Sequence, residues 1–180
     1  RSAIYQILPA LQNPEALGEG TDWQREIFRQ AATHNVQLTL SGGNENIRYM
    51  TSGGYYKQDG IILNSGFERY SFRVNLEANA SKKFKIGLNL TPAYTISNPT
   101  NSEGHWADGG IVLSALTMAP HLPVYKEDGT YSTGLDLGNG FSAIENPVKL
   151  AKERVNRMNE LRLLGTVYGE YKILNNLTYK

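Results

Sequence analysis

From Phe67 to Ile96 the chain alternates apolar and polar side chains almost without a break. Tyr70, Phe72, Val74, Leu76, Ala78 and Ala80 share one parity, and Arg69, Ser71, Arg73, Asn75, Glu77 and Asn79 take the other. After Ser81-Lys82-Lys83 the pattern resumes in the same parity with Phe84, Ile86, Leu88, Leu90, Pro92, Tyr94 and Ile96. A two-residue period places each set on one face of a strand. The stretch therefore reads as a long antiparallel hairpin with an unbroken apolar face. In water that face needs a second layer; in a membrane, lipid covers it. Which cover applies decides the kind of protein this is.

Composition leaves both covers open. The 180 residues carry 18 basic against 17 acidic side chains, so no electrostatic footprint for nucleic acid is present. No cysteine is available for a disulfide framework or a thiolate metal site. No run of apolar residues is long enough for a membrane helix. The mean hydropathy of −0.42 does not argue against membrane strands, which are short and only half apolar. With Arg1 at its start and Lys180 inside a strand pattern, the chain reads as a portion of something larger.

Residues 1–33 read as loop and short helices. Asn13-Pro14-Glu15 predicts a capped helix start, and Thr21-Asp22-Trp23-Gln24 predicts a capping box opening a helix over Asp22 to Ala32. Residues 34–96 read as four strands. Val36, Leu38 and Leu40 alternate, Gly42 to Asn46 supplies turn chemistry, and Ile47, Tyr49, Thr51, Gly53 and Tyr55 begin a second strand before the opening hairpin. Residues 97–157 lose the alternation, and a loop of that length should carry function or structure of its own. It predicts a helix around Gly110 to Ala119, a small hairpin from Tyr125 to Tyr131 turning at Asp128-Gly129, and a helix from Asn146-Pro147 to about Asn156. Residues 158–180 hold two more strands, the second truncated, joined at Leu174-Asn175-Asn176.

Every second connection is thus short, as in outer-membrane barrels with short periplasmic turns and longer extracellular loops. Pairing Ala80 with Phe84 and Tyr70 with Tyr94 keeps the apolar face intact. At ~3.3 Å per residue and roughly 40° of tilt, Tyr70 to Ala80 rises about 25 Å, the height of a barrel's lipid band. Tyr70 and Tyr94 then mark one rim and Phe84 the other. A soluble sandwich or lipocalin-like strand pair shares the alternation and remains the rival on these residues.

Several motifs then make a resemblance specific. They run from Thr21-Asp22-Trp23-Gln24-Arg25-Glu26-Ile27-Phe28-Arg29 through Leu40-Ser41-Gly42-Gly43-Asn44-Glu45 and Ser52-Gly53-Gly54-Tyr55. They continue over Gln58-Asp59-Gly60-Ile61-Ile62, Phe67-Glu68-Arg69-Tyr70-Ser71-Phe72-Arg73 and Asn75-Leu76. In this order they resemble the SusC/RagA family of TonB-linked outer-membrane proteins of Bacteroidetes, over most of the chain from Gly20 onward. The resemblance implies a 22-stranded barrel with an internal plug, driven by TonB and covered by a SusD-like lipoprotein lid. Its cargo would be large nutrients, oligosaccharides or peptides. The fold class expected is all-β: an antiparallel transmembrane β-barrel segment of about six strands, located in the outer membrane. Six strands cannot enclose such a lumen by themselves.

Catalysis finds no support, and neither a cofactor nor a metal is expected. The histidines His34, His105 and His121 are scattered, and His105 near Asp108 is an ordinary pair of loop residues. Asp136 to Asn139 offers oxygen ligands without the spacing of a calcium loop. Ser41-Gly42-Gly43 and Gly109-Gly110 lack the Lys-Ser/Thr of a phosphate loop. The long loop is the better functional candidate, with Trp106, Tyr125 and Tyr131 able to stack on substrate, meet a lid or anchor the loop. Tyr70, Phe72, Val74, Leu76, Phe84, Ile86, Leu88, Leu90 and Tyr94 are expected to face lipid. Arg69, Arg73, Asn75, Glu77, Lys85 and Asn89 are expected to line the lumen wall. The rival of another class is a soluble β-rich binding or surface-adhesion module; a β-rich hydrolase would need a nucleophile or carboxylate pair on the polar faces.

Overall fold

The computed structural model describes residues 13–102, 104, 110–138 and 143–180. Strands β1 (Thr33–Gly43), β2 (Ile47–Asp59), β3 (Gly66–Asn79), β4 (Phe84–Asn98), β5 (Met158–Leu174) and β6 (Leu177–Tyr179) form one antiparallel meander in chain order. Three, four and two residues join β1 to β2, β3 to β4 and β5 to β6, whereas six separate β2 from β3 and fifty-nine separate β4 from β5. Short and long links therefore alternate, as the spacing of the strand patterns predicts. Among the described residues no helix is long and apolar enough to cross a membrane, which says nothing of the strands.

The registers keep the apolar parity continuous from strand to strand. Val36 lies opposite Tyr55 and Leu38 opposite Gly53. Tyr49 lies opposite Leu76, Thr51 opposite Val74 and Tyr55 opposite Tyr70. Farther along, Leu88 faces Val167, Pro92 faces Leu163 and Tyr94 faces Leu161. A one-residue slip in any of these ladders would throw an apolar set onto the polar face. The β3–β4 turn closes more tightly than the three-residue loop expected. Ser81 and Phe84 exchange backbone hydrogen bonds (3.1 and 3.3 Å) across Lys82-Lys83. The Ser81 hydroxyl accepts from the N–H groups of Lys83 and Phe84, holding the pair of lysines out.

A second body is built from the chain before β1, residues 60–65 between β2 and β3, and residues 98–156 between β4 and β5. It contains helices α1 (Trp23–Ile27), α2 (Ile111–Thr117) and α3 (Pro147–Glu153), with 3₁₀ turns at Pro14–Leu17 and Gly134–Leu137. Trp23, Ile27, Ile62, Ile111, Ala115, Met118, Leu122, Val148, Leu150 and Ala151 make its core. All the buried apolar residues of that core belong to this body, and none lies in a strand. Two long-range bonds fasten it: Trp23 Nε1 donates to Ala119 O (3.0 Å) and Thr21 Oγ1 donates to Leu122 O (2.7 Å).

That second bond corrects the expected capping box. Thr21 is spent on Leu122, and Asp22 caps α1 instead, accepting from the Arg25 N–H at 3.1 Å. The helix also stops at Ile27 rather than Ala32. Phe28 turns extended and bridges to Ile62, so tertiary pairing overrides local helix preference. The other helices are shorter than expected but sit where their caps place them. The Asn13-Pro14 start yields only a 3₁₀ turn, without a side-chain cap bond at Asn13.

Tyr168 of β5 lies across Gly87 of β4, its register partner, and its hydroxyl reaches Glu77 Oε1 on β3 at 2.8 Å. A Cβ at Gly87 would fall within the Tyr168 ring, whereas one at Gly53 would meet nothing. Gly87→Ala is therefore expected to displace Tyr168 and cost roughly 1–3 kcal/mol. Gly53→Ala should leave stability nearly unchanged. Urea unfolding of the whole protein in detergent micelles separates the two.

Candidate functional site

The apolar face of the sheet is banded. At the end of the strands reached by the long links, the rings of Tyr55 and Tyr70 stack at 5.1 Å. Beyond them on the same parity come Lys57, Asp59 and Glu68, with Lys57 bridging to Glu68 at 3.8 Å and to Asp59 at 4.0 Å. At the other end the rings of Phe84 and Tyr171 lie 6.5 Å apart, and Tyr171 is paired with Tyr179. Between these rows run aliphatic side chains with no protein cover: Leu38 is 67% exposed, Leu163 64% and Val167 75%. Phe72, Leu76 and Ile86 are exposed on the same surface, as are the ring residues Tyr70, Phe84 and Tyr94; Val74, Leu88 and Leu90 are half-buried. A run of bare aliphatics between two rings of aromatics is the pattern of a surface that meets hydrocarbon between two polar interfaces.

The opposite parity is polar and cross-linked. Lys85 Nζ reaches Glu77 Oε2 at 3.0 Å, and the same carboxylate takes the Tyr168 hydroxyl. Lys180 bridges to Glu170 at 3.2 Å and stands 4.1 Å over the Tyr168 ring. Arg162 pairs with Glu160 at 2.8 Å. These contacts join β3, β4, β5 and the chain end after β6 on one surface, with Asn75 and Asn89 on the same parity. Arg69 lies 5.7 Å over the Tyr56 ring. Gln37, Ser52, Gly54, Arg69, Ser71, Arg73, Thr91 and Ala93 surround a hollow of about 480 Å³ on this face, with Phe72 at its edge.

In the helical body the predicted Tyr125–Tyr131 hairpin is present as a single bridge. Lys126 N–H donates to Thr130 O (2.7 Å), and Asp128 Oδ1 accepts from the Thr130 N–H and hydroxyl. Those Thr130 bonds hold the Asp128 carboxyl below its usual range. The two tyrosine rings lie 4.9 Å apart, but their surroundings differ. Tyr131 is half-buried against the core, whereas Tyr125 is exposed. Lys152 Nζ donates to Tyr125 Oη at 3.1 Å, drawing that phenol below its ordinary pKa; Tyr131, hydrogen-bonded to Tyr125, is pushed up. Trp106, His105, Asp108 and Asn139 lie outside the described residues. Among the described residues no group of three or more His, Asp or Glu side chains is placed to hold a metal ion.

Two functional supports carry little signal in the sequence. Tyr168 is one, since its partners Gly87 and Glu77 are far off in the chain. Asn146 is the other. It is fully buried; its amide donates to Val124 O and Ser132 O (3.0 Å each), and its carbonyl accepts from the N–H groups of Val148 (3.0 Å) and Lys149 (3.2 Å). The cap on α3 was legible from Asn146-Pro147, but its second role, holding both arms of the Tyr125–Tyr131 segment, was not.

No family model matches the chain. It is 34% identical over 163 residues to TonB-dependent receptor P3 of Formosa agariphila, covering 89% of this chain and 16% of that protein. It is 28% identical over 178 residues to TonB-dependent receptor SusC of Bacteroides thetaiotaomicron, covering 88% of this chain and 17% of that protein. Its fold superposes on a chain of the RagAB peptide transporter with a TM-score of 0.67 at 20% identity, covering 98% of this chain and 22% of that one. The sheet is thus a stretch of β-barrel wall of the TonB-dependent receptor kind. The chain belongs with the SusC/RagA-like receptors, as its motifs predict, and spans about one sixth of the length of the curated relatives it matches.

Asn146→Asp keeps the shape but turns two donors into an acceptor facing two carbonyls. It should cost the helical body about 2–4 kcal/mol, read in the whole protein as faster tryptic cleavage within residues 110–153. Asp136 supplies a pH test. The Thr133 N–H donates to its carboxylate at 2.6 Å and holds its pKa below the usual 3.8, with Lys126 assisting. A folded-state pKa below the unfolded one stabilises fully above the unfolded value and is lost as pH falls through the folded value. Hydrogen exchange at the Thr133 amide should therefore quicken below pH 3.8 in the wild type. In Asp136→Asn, whose amide oxygen can still accept but does not titrate, that dependence should disappear.

Proposed function

We propose that this chain forms part of an outer-membrane, TonB-dependent importer of large nutrients, with the sheet as one sector of the membrane-spanning wall. The observation that carries this reading is the bare aliphatic surface between two aromatic rows, in a chain whose apolar core lies wholly in the other body. Lipid covers Tyr70, Phe72, Val74, Leu76, Phe84, Ile86, Leu88, Leu90 and Tyr94. Arg69, Arg73, Asn75, Glu77, Lys85 and Asn89 belong to the lumen wall. The short links then lie on the periplasmic side and the long ones outside the cell.

The helical body belongs to the extracellular part of the receptor, where a SusD-like lipoprotein would act as lid. Tyr125, exposed and charge-assisted by Lys152, is the contact residue for substrate or lid, while Tyr131 anchors it to the core. Trp106, outside the described residues, is the third contact residue of this reading. Oligosaccharides and peptides are both suitable cargo, and one similar structure is that of a peptide transporter. The energy for uptake comes through TonB, acting on parts of the receptor outside these residues.

The reading predicts opposite tolerance on adjacent residues. Val74→Arg places a charge near mid-height on the lipid side and should cost roughly 2–4 kcal/mol, with loss of folded receptor from the outer-membrane fraction. Asn75→Arg, one residue on, should be accommodated. Equal tolerance of both, or a full-length protein that stays in aqueous solution without detergent, would exclude the membrane wall.

A further inference from the structure

The hollow on the polar face differs from its surroundings in charge and in floor. Elsewhere on this parity Lys85 pairs with Glu77, Arg162 with Glu160 and Lys180 with Glu170. Arg48, which shares a hollow with Glu45 and Glu77, and Lys172 form no ion pair among the described residues. Arg69 and Arg73 have none among the described residues; Arg69 rests on the Tyr56 ring, and no acidic side chain lines the hollow. Both arginines are exposed on β3, four residues apart on one face, which sets their Cα atoms about 13 Å apart. Between them the register places Ser71 opposite Gly54, and Gly54 opposite Gln37. The centre of the floor is therefore a glycine and a serine, with Gln37 beyond them. Gly54 keeps it low, since a Cβ there would meet Ser71 Oγ at 2.8 Å.

Two guanidinium groups standing over a low floor of hydroxyl and amide groups suit a ligand that carries carboxylates. Each guanidinium can take a carboxylate through two parallel hydrogen bonds, a geometry an ammonium cannot reproduce. Ser52, Ser71 and Gln37 supply neutral donors and acceptors for the ligand's remaining polar groups. We propose that this hollow is a way-station for anionic cargo, binding a polycarboxylate oligomer by Arg69 and Arg73 as it passes along the wall. The proposal rests on the reading of this face as lumen wall and adds to it a charge class of substrate.

The test uses the full-length receptor in detergent micelles and the arginine reagent phenylglyoxal, with modification of each arginine read by peptide mass spectrometry. Hexaglutamate and trigalacturonate are the carboxylate probes, and hexaglutamine is the neutral control. One or both acidic probes should slow modification of Arg69 and Arg73 about fivefold or more, while hexaglutamine does not; which of them protects distinguishes a peptide from a sugar source. The double variant Arg69→Gln, Arg73→Gln should weaken binding of the protecting probe by about tenfold. Equal modification with acidic and neutral probes overturns the proposal. So do two arginines that resist the reagent before any probe is added, because the hollow is then filled by the receptor's own chain. Thr166→Cys, on the same face opposite Asn89 and not among the residues that surround the hollow, separates this failure from that of the wall. Labelling there by a water-soluble maleimide upholds the lumen even when protection fails, and no labelling overturns both.

Discussion

Backbone hydrogen bonding is the constraint on which the rest of the sheet depends. In hydrocarbon an unpaired N–H or C=O has no water to turn to, so a strand can face lipid only when both its neighbours complete the ladder. Strands β2 to β4 each have a partner on both sides, and β5 is paired along most of its length with β4 and from Tyr171 to Leu174 with β6. That ladder, rather than a packed interior, holds this part of the chain together. It also explains why the strands can be eleven to seventeen residues long and still bury almost no side chain. Side-chain contacts add local locks, such as Tyr168 laid over Gly87 and bonded to Glu77.

The helical body is stabilised by the opposite arrangement. Its helices are five to seven residues long, too short to stand alone in water. They persist because a compact apolar core and a few buried polar bonds tie them together. Asn146 matters there for the same reason the ladder matters in the sheet. It bonds two carbonyls and two amides in a place where burial keeps water from doing so. One chain thus uses two solutions to the same demand, a ladder of strands where no packed core covers the backbone and a single buried amide where packing excludes water.

Local chemistry made much of this legible. The period of two from Tyr70 to Ile96 gave the strands and their faces, because register preserves parity across the whole sheet. Turn residues and proline-led caps located the links and the starts of the helices. What depended on distant partners was hidden. Thr21 abandons its capping box for Leu122, Phe28 leaves helix for a bridge with Ile62, and Trp23 closes on Ala119. Leu122 and Ala119 lie more than ninety residues from Thr21 and Trp23, and Ile62 lies thirty-four from Phe28, so no short window along the chain contains the signal. The unpaired state of Arg69 and Arg73 was likewise invisible, since only the register reveals which carboxylates their neighbours have already taken.

The body that gathers the N-terminal segment, residues 60–65 and residues 98–156 also orders events in time. Thr21 cannot meet Leu122, nor Trp23 Ala119, until four strands and the first twenty-four residues of the longest link have been made. Contacts of such separation close late and slowly. Until then the early helix holds an indole and an isoleucine with nothing to cover them. The clasp is therefore a late event: in a chain where it has closed, the first four strands have already been synthesised.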